Sequence, residues 1–130
     1  MKNENFEMCK SIALELSRYA EGRVYRCPDC GEIIEYSEEG CACGCDVDDL
    51  EQLSLLDYFE DSIFDIEYHV GSDKQYRSVR VMVACGGPNI YIDTAEHAVR
   101  LYWWTDRAEC WIDADTCNEI DAMFEEMYNC

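Results

Sequence analysis

The apolar positions repeat with a helical period in the first part of the chain. This period covers residues 3–20, and Gly22 follows as a natural stop. A second helical stretch covers residues 46–62, where Asp46 or Asp48 would cap the helix and the early acids would suit its dipole. The apolar stripe of this second helix would consist of Val47, Leu50, Leu53, Leu56 and Phe59. The pattern therefore predicts two helices before the middle of the chain.

Beyond residue 62 the period changes to two, which is typical of strands. The alternating segments are residues 62–70, 76–85, 90–94, 98–104 and 107–112, separated by turn-forming stretches such as GSDK and GGPN. A last helical pattern follows Asp113 or Asp115. Because short connections favour antiparallel neighbours, these segments predict a β-meander of about five strands followed by a helix.

Composition adds a strong negative charge to this picture. The chain has 130 residues, with 29 Asp and Glu against 10 Lys and Arg, and a net charge of −19. Residues 46–130 carry twenty of these acids and only five of the bases. Such a surface repels nucleic acid and attracts basic partners. With no apolar run of membrane-spanning length and no signal-peptide pattern at the start, the expected location is the reducing cytoplasm.

Half of the ten cysteines fall in one segment, CPDCGEIIEYSEEGCACGC, which covers residues 27–45. Cys27 and Cys30 stand three positions apart before a glycine, as in a metal-binding knuckle. Cys41 and Cys43, in the pattern Cys-x-Cys-Gly, would form the second knuckle, with Cys45 as the alternative ligand. The spacing predicts one structural Zn²⁺ held by four thiolates, with no open position for catalysis.

Two other interpretations of these cysteines stay open. A Cys-x-x-Cys redox motif usually opens a helix, whereas here the residues after Cys30 have the composition of a strand. A disulfide patch is disfavoured by a reducing compartment. Outside the segment, Cys9 and Cys85 occupy apolar-face positions and are expected to be core thiols.

Together the patterns predict an α+β fold. Its expected order is an N-terminal helix, a small zinc-ribbon-like knot, a helix, and an antiparallel β-meander of about five strands covered by a C-terminal helix. The expected divisions are residues 1–22 for the first helix, 23–45 for the zinc-knuckle segment and 46–130 for an acidic α+β domain. Alternation places Trp103 inside and Trp104 outside. The expected core of the domain contains Val81, Val83, Ile90, Ile92, Leu101, Ile120 and Phe124.

Catalytic motifs are absent from the sequence, so the chain is not expected to be an enzyme. His69 and His97 stand in no nucleophile motif, and there is no glycine-rich phosphate loop. A carboxylate metal site near Asp48 and Asp49, or near Asp113 and Asp115, stays open as a minor alternative. The aromatic residues of 102–111 could stack on bases, but their strand context favours core packing.

The stretch VRVMVACGGPNIYIDTAEHAVRLYWWTDRAECWIDADTCNEIDAMFEEMY resembles a module of small prophage and mobile-element proteins of gut bacteria. Its order of four strands and a helix also resembles the fold of the transcriptional positive cofactor that binds single-stranded DNA. A small type II-A anti-CRISPR protein is similar to that fold as well. The resemblance covers roughly residues 76–130 and implies an anti-defence protein acting in the cytoplasm of a bacterial host cell.

The leading functional hypothesis is therefore an anti-CRISPR-like inhibitor that mimics DNA. Its acidic surface would bind a basic protein partner, such as an RNA-guided nuclease, and block DNA binding. The candidate partner-binding residues are Asp48, Asp49, Glu51, Asp57, Glu60, Asp61, Asp65, Glu119, Glu125 and Glu126. The alternatives are a zinc-containing nucleic-acid-binding accessory protein and an acidic interaction module without a DNA-related role, in which acidity could serve solubility alone. Direct nucleic-acid binding is the less favoured of these, and a homodimer is left open.

Overall fold

The computed structural model describes residues 2–130, with side chains from Glu4 onward. Three α-helices, eight strands and a short 3₁₀ helix follow one another in this part of the chain. Their bounds are α1 Lys2–Ala20, β1 Val24–Arg26, β2 Ile33–Glu35, the 3₁₀ helix Val47–Asp49, β3 Glu51–Gln52, α2 Leu55–Glu60, β4 Asp65–Val70, β5 Tyr76–Ala84, β6 Asn89–Asp93, β7 Ala98–Trp103, β8 Asp106–Trp111 and α3 Ala114–Tyr128. None of the helices within residues 2–130 combines the length and apolarity of a transmembrane span.

The main sheet is the antiparallel meander that alternation predicts. Its five strands lie in the order β4-β5-β6-β7-β8, so every strand pairs with its neighbour in the chain. The register sets Val81 opposite Ile92, and Ile92 opposite Val99, which lines up apolar side chains across the central strands. The sheet therefore presents one apolar face to the helices.

Two of the helices, α1 and α3, cover this one face. The first helix packs on β7 and β8, α3 packs on β5, and α2 lies in contact with both of these helices. Six of the seven residues expected in the core of the domain are buried, and Val83 is half-buried. The prediction of an α+β fold with a meander covered by a C-terminal helix is confirmed.

A second, small sheet carries the cysteine segment. It has the order β2-β1-β3, and β1 pairs with β3 through Arg26 opposite Glu51. Val24 at the start of β1 and Leu53 just after β3 are buried in the main core. The side-chain amide of Gln52 donates a 2.8 Å hydrogen bond to the carbonyl of Gly22. The knot is thus attached to the main core through the start of β1 and the end of β3.

The second helix is much shorter than its apolar period predicts. It begins at Leu55, not near Asp46, because Ser54 and Asp57 form a capping box at that point. The residues before it form the 3₁₀ helix and β3 instead. The predicted stripe is wrong at Leu56, which is exposed, whereas its neighbour Leu55 is buried. Pairing of β3 with β1 competes successfully with helix formation here.

Two predicted core positions lie outside the core. Cys85 is exposed because β5 ends at Ala84, where the pairing with β6 shifts register. Trp103 is 40% exposed, although alternation places it on the covered face. It is the last residue of β7, and its ring lies against Gly87 in the turn between β5 and β6. Cys9 is buried in the core, as expected.

Candidate metal centre and acidic surface

Two glycine-containing turns position the cysteines of the knot. In the first turn, the Gly31 N–H donates to the carbonyl of Cys27 at 2.8 Å, and Gly31 has a positive φ of 76°. In the second turn, the Gly44 N–H donates to the carbonyl of Cys41 at 2.9 Å, and Gly44 has a φ of 101°. Glycine adopts this left-handed backbone without steric cost, which lets the chain fold back sharply after each pair of cysteines. The two knuckles expected from the sequence are present.

The thiols of this segment converge on one point. The Sγ of Cys27 lies 3.2 Å from that of Cys45 and 3.4 Å from that of Cys43. With Cys41, these sulfurs form a group of four whose atoms all lie within 4.8 Å of one another. Four thiolates around a tetrahedral zinc ion, at about 2.3 Å each, stand about 3.8 Å apart. The group therefore has the size that a four-thiolate site requires.

The arrangement includes all five cysteines of the segment. Three of the four predicted ligands, Cys27, Cys41 and Cys43, belong to the group, and Cys45 is its fourth member. The Sγ of Cys30 lies 3.5 Å from that of Cys41, at the side of the group. The predicted ligand set, with Cys30 in the first knuckle and Cys45 as the alternative to Cys41 or Cys43, stays a prediction. All ten cysteines of the chain are free thiols in the structure, so a disulfide patch is absent.

Burial of the thiols is uneven. Cys27, Cys41 and Cys45 are buried, whereas Cys30 and Cys43 are exposed. Among the side chains from Glu4 onward, only Ile34 and Leu50 pack against the buried sulfurs as partly buried apolar residues. A cluster of this size supplies little hydrophobic stabilisation, so a bound metal would provide much of the folding free energy of the knot.

Neighbouring groups shift the pKa values of these thiols in opposite directions. Hydrogen bonding to the backbone N–H of Cys30, reinforced by the thiols of Cys45 and Cys43, lowers the pKa of Cys27 to about 6. The contact with Cys27, together with burial, raises the pKa of Cys45 to about 11. One thiolate is thus stabilised at the expense of its neighbours. A bound cation would stabilise every thiolate and release the remaining protons.

The acids predicted to bind a partner are the second feature of the molecule that bears on function. All ten are exposed. None of them takes part in an ion pair among the described side chains, where Arg23, Arg77, Arg80 and Arg100 are paired with other acids. We call these ten residues the acidic surface. Its charge is therefore not neutralised within the described part of the chain.

Packing of α2 on α3 sets two acids of the last helix beside α2. The rings of Phe59 and Phe124 meet edge to face, with centroids 5.1 Å apart. Glu119 and Glu126 of α3 line the same groove as Leu56 of α2. Two acids of the last helix therefore lie beside α2, which their separation in sequence does not reveal, whereas Asp65 of β4 lines a depression with Arg80 and Tyr91 on the uncovered face of the sheet.

The uncovered face of the sheet has a different character. The guanidinium of Arg80 lies over the ring of Tyr91, 4.0 Å from its centroid, and Arg100 contacts Asp93, Glu96 and Glu109. Most of the positive charge on this face is thus paired with carboxylates.

The other carboxylates that could bind a metal do not converge. Asp113 caps α3 by accepting hydrogen bonds from Thr116. Asp48 and Asp49 lie in the 3₁₀ helix. The metal-compatible groups found among the described side chains both contain knot cysteines.

No protein-family model, curated protein or solved structure matches the chain. The thiol group of the knot and the unpaired acidic surface are therefore the features that bear on function.

Proposed function

We propose that the chain is a zinc-stabilised binding protein whose acidic surface occupies the nucleic-acid site of a basic partner. In this role it acts in the cytoplasm of a bacterial host as an anti-CRISPR-like inhibitor encoded by a phage or mobile element. The observation that carries the proposal is a set of unpaired negative charges. The acids of the acidic surface are exposed and make no ion pair with a described side chain, while four of the arginines are paired with other acids.

Zinc is the metal that the donor set favours. Thiolates are soft ligands that select zinc, copper(I) or iron–sulfur clusters over magnesium and calcium. Four of them close the coordination sphere of a tetrahedral zinc ion, which makes the site structural. The cysteines present, Cys27, Cys41, Cys43 and Cys45, fit such an ion in number and mutual distance, with Cys30 as the alternative.

The negative charge of the acidic surface favours binding to a basic partner. Enzymes that handle nucleic acids present basic channels, and complementary charge speeds association with them. At physiological salt the Debye length is about 8 Å, so only acids near the contact contribute appreciably. An RNA-guided nuclease fits this description, and the resemblance of residues 76–130 to a type II-A anti-CRISPR protein supports that choice.

The test is inhibition of DNA cleavage by an RNA-guided nuclease, measured with wild type and with a charge-neutralised variant. The variant carries Glu60→Gln, Asp61→Asn and Asp65→Asn. Asp57 is left intact because its carboxylate accepts hydrogen bonds from the backbone N–H and hydroxyl of Ser54 at the start of α2. We expect the association rate to fall about tenfold and the salt dependence to weaken.

The matched control removes the same charge elsewhere. Glu4, Glu7 and Glu38 are exposed acids outside the acidic surface, so their replacement by glutamine should leave inhibition within about twofold of wild type. Equal losses in both variants would show that overall charge, and not the acidic surface, drives binding. If the protein inhibits no such nuclease, the anti-defence proposal fails.

Nucleic-acid binding is the second candidate, and one observation favours it. Arg107 is exposed, makes no ion pair with a described side chain, and shares a depression of the uncovered sheet face with Tyr102. Aromatic rings beside cations suit single-stranded nucleic acid. A gel shift with single-stranded DNA that is lost in Arg107→Ala would support this candidate. Recovery from lysate of a basic protein unrelated to nucleic acids would instead support a general interaction module.

A further inference from the structure

The knot contains more metal-binding side chains than one zinc ion uses. A tetrahedral ion takes four thiolates, and the group of Cys27, Cys41, Cys43 and Cys45 supplies them. The fifth thiol, that of Cys30, lies 3.5 Å from Cys41. Cys41 therefore has thiol neighbours on two sides.

A carboxylate completes a second group on the Cys30 side. One oxygen of Glu32 and the sulfurs of Cys30 and Cys41 all lie within 4.8 Å of one another. The backbone of Glu32 is fixed at the base of the first knuckle, where its carbonyl accepts a 2.9 Å hydrogen bond from the Cys27 N–H. Both Cys30 and Glu32 are exposed, so the group opens to solvent. The two groups share one atom, the sulfur of Cys41.

We propose that the knot binds a second zinc ion through Cys30, Glu32 and Cys41, with the Cys41 thiolate bridging the two ions. This inference rests on the zinc centre proposed above. Thiolates bridge zinc ions readily because sulfur has further lone pairs after its first bond to metal. Two thiolates and one carboxylate are a zinc donor set, and a water molecule would complete the tetrahedron.

Charge favours a second cation at this position. Four thiolates around one Zn²⁺ leave the centre with net negative charge, to which the Cys30 thiolate and the Glu32 carboxylate would add. Asp29, Glu38 and Glu39 are exposed acids of the same segment. A second dication would offset this negative charge, whereas protonation of Cys30 alone would leave the charge of the other thiolates and carboxylates in place. Since it has only three protein ligands and lies at the surface, the second ion should bind more weakly and exchange faster than the first.

The experiment measures zinc stoichiometry and environment in the full chain. Protein is equilibrated with excess zinc, freed of unbound metal, and analysed for metal content. The same samples loaded with ¹¹³Cd are examined by NMR, where a four-thiolate ion and an ion with mixed sulfur and oxygen ligands give separate resonances. We expect about two equivalents of zinc, of which a chromophoric chelator removes one first. We also expect two cadmium resonances. The resonance whose chemical shift lies closer to that of oxygen-ligated cadmium should disappear first as the chelator is added.

Two variants identify the ligands. Glu32→Gln keeps the shape of an exposed side chain and should lower the content to about one equivalent, with loss of the mixed-ligand resonance. Cys30→Ser should do the same, and Glu38→Gln is the matched control that should retain both ions. Circular dichroism confirms that each variant is folded.

The outcomes separate this inference from the proposals on which it builds. About one equivalent in wild type would overturn the second ion and leave the four-thiolate centre standing. Retention of both ions in Glu32→Gln and Cys30→Ser would also overturn it. Loss of the four-thiolate resonance in Cys30→Ser would overturn it too, because Cys30 would then be a ligand of the first ion. A metal-free protein would overturn both proposed zinc sites. Nuclease inhibition through the acidic surface is tested separately by the cleavage assay.

Discussion

Removal of the Phe124 ring should weaken the protein more than any change on the exposed side of α3. Phe124 is fully buried and meets Phe59 edge to face, with centroids 5.1 Å apart. Replacing a buried Phe with Ala typically costs about 3–5 kcal/mol, of which an aromatic pair contributes about 1 kcal/mol. We therefore expect Phe124→Ala to lower the free energy of unfolding by about 4 kcal/mol. In a chain of this length, that lowers Tm by about 15 °C.

Urea denaturation in the presence of zinc measures this change. With a slope of about 2 kcal/mol per molar urea, the midpoint should fall by about 2 M. Met127→Ala is the control on the same helix, where a side chain that is 39% exposed should cost about 1 kcal/mol or less. A double-mutant cycle with Phe59→Leu and Phe124→Leu should show a coupling of about 1 kcal/mol. A cost for Phe124→Ala no larger than that of Met127→Ala would refute the packing of α3 on α2 and the sheet.

Two further predictions concern the cap of α3 and the turn between β5 and β6. Asp113→Ala should cost about 1 kcal/mol, because the carboxylate accepts hydrogen bonds from the hydroxyl of Thr116 at 2.7 Å and from its N–H at 3.0 Å. These bonds lower the pKa of Asp113, so its contribution should be complete above about pH 4 and fade as the pH falls through the lowered value. Urea titrations across this range should show a weaker dependence in Asp113→Asn than in wild type, with the remainder due to groups such as Asp73, whose pKa is also lowered. Gly87→Ala should destabilise more than Gly86→Ala, because both residues have positive φ but only at Gly87 would a Cβ overlap the Trp103 ring. Equal Tm values for the two variants, with unchanged tryptophan fluorescence, would contradict this placement of Trp103.

The sheet was predictable because alternation and burial agree in it. Val81, Ile92 and Leu101 are buried on the face that the helices cover, as their period of two requires. The failures lie where the local pattern meets a competing interaction. Over residues 46–54 a helical period is overruled by the pairing of Glu51 with Arg26, and the capping box at Ser54 delays the helix. Periodicity contains no information on either contact.

The metal centre was predictable to the level of its cysteines. Spacing identified the two knuckles, since each needs two cysteines and a glycine close together in sequence. It could not decide which of Cys41, Cys43 and Cys45 complete the site, because that depends on how the two turns face one another. It also missed Glu32, since one carboxylate among 29 acids has no distinguishing mark in the sequence.

The cysteine knot and part of the acidic surface are adjacent in the chain. Residues 46–52 carry Asp48, Asp49 and Glu51 and contain one apolar side chain packed against the knot thiols, that of Leu50. Like charges in so short a segment repel one another, and so little burial offsets this repulsion only weakly. The segment is held by the pairing of β3 with β1, by Cys45 in the thiol group and by Leu53 in the main core. A metal bound in the knot would therefore help to order Asp48, Asp49 and Glu51, whereas Glu119 and Glu126 are ordered by the packing of α3. In the proposed zinc-stabilised binding protein, the metal would thus have a structural role in so acidic a chain, because it would hold in place carboxylates that repel one another.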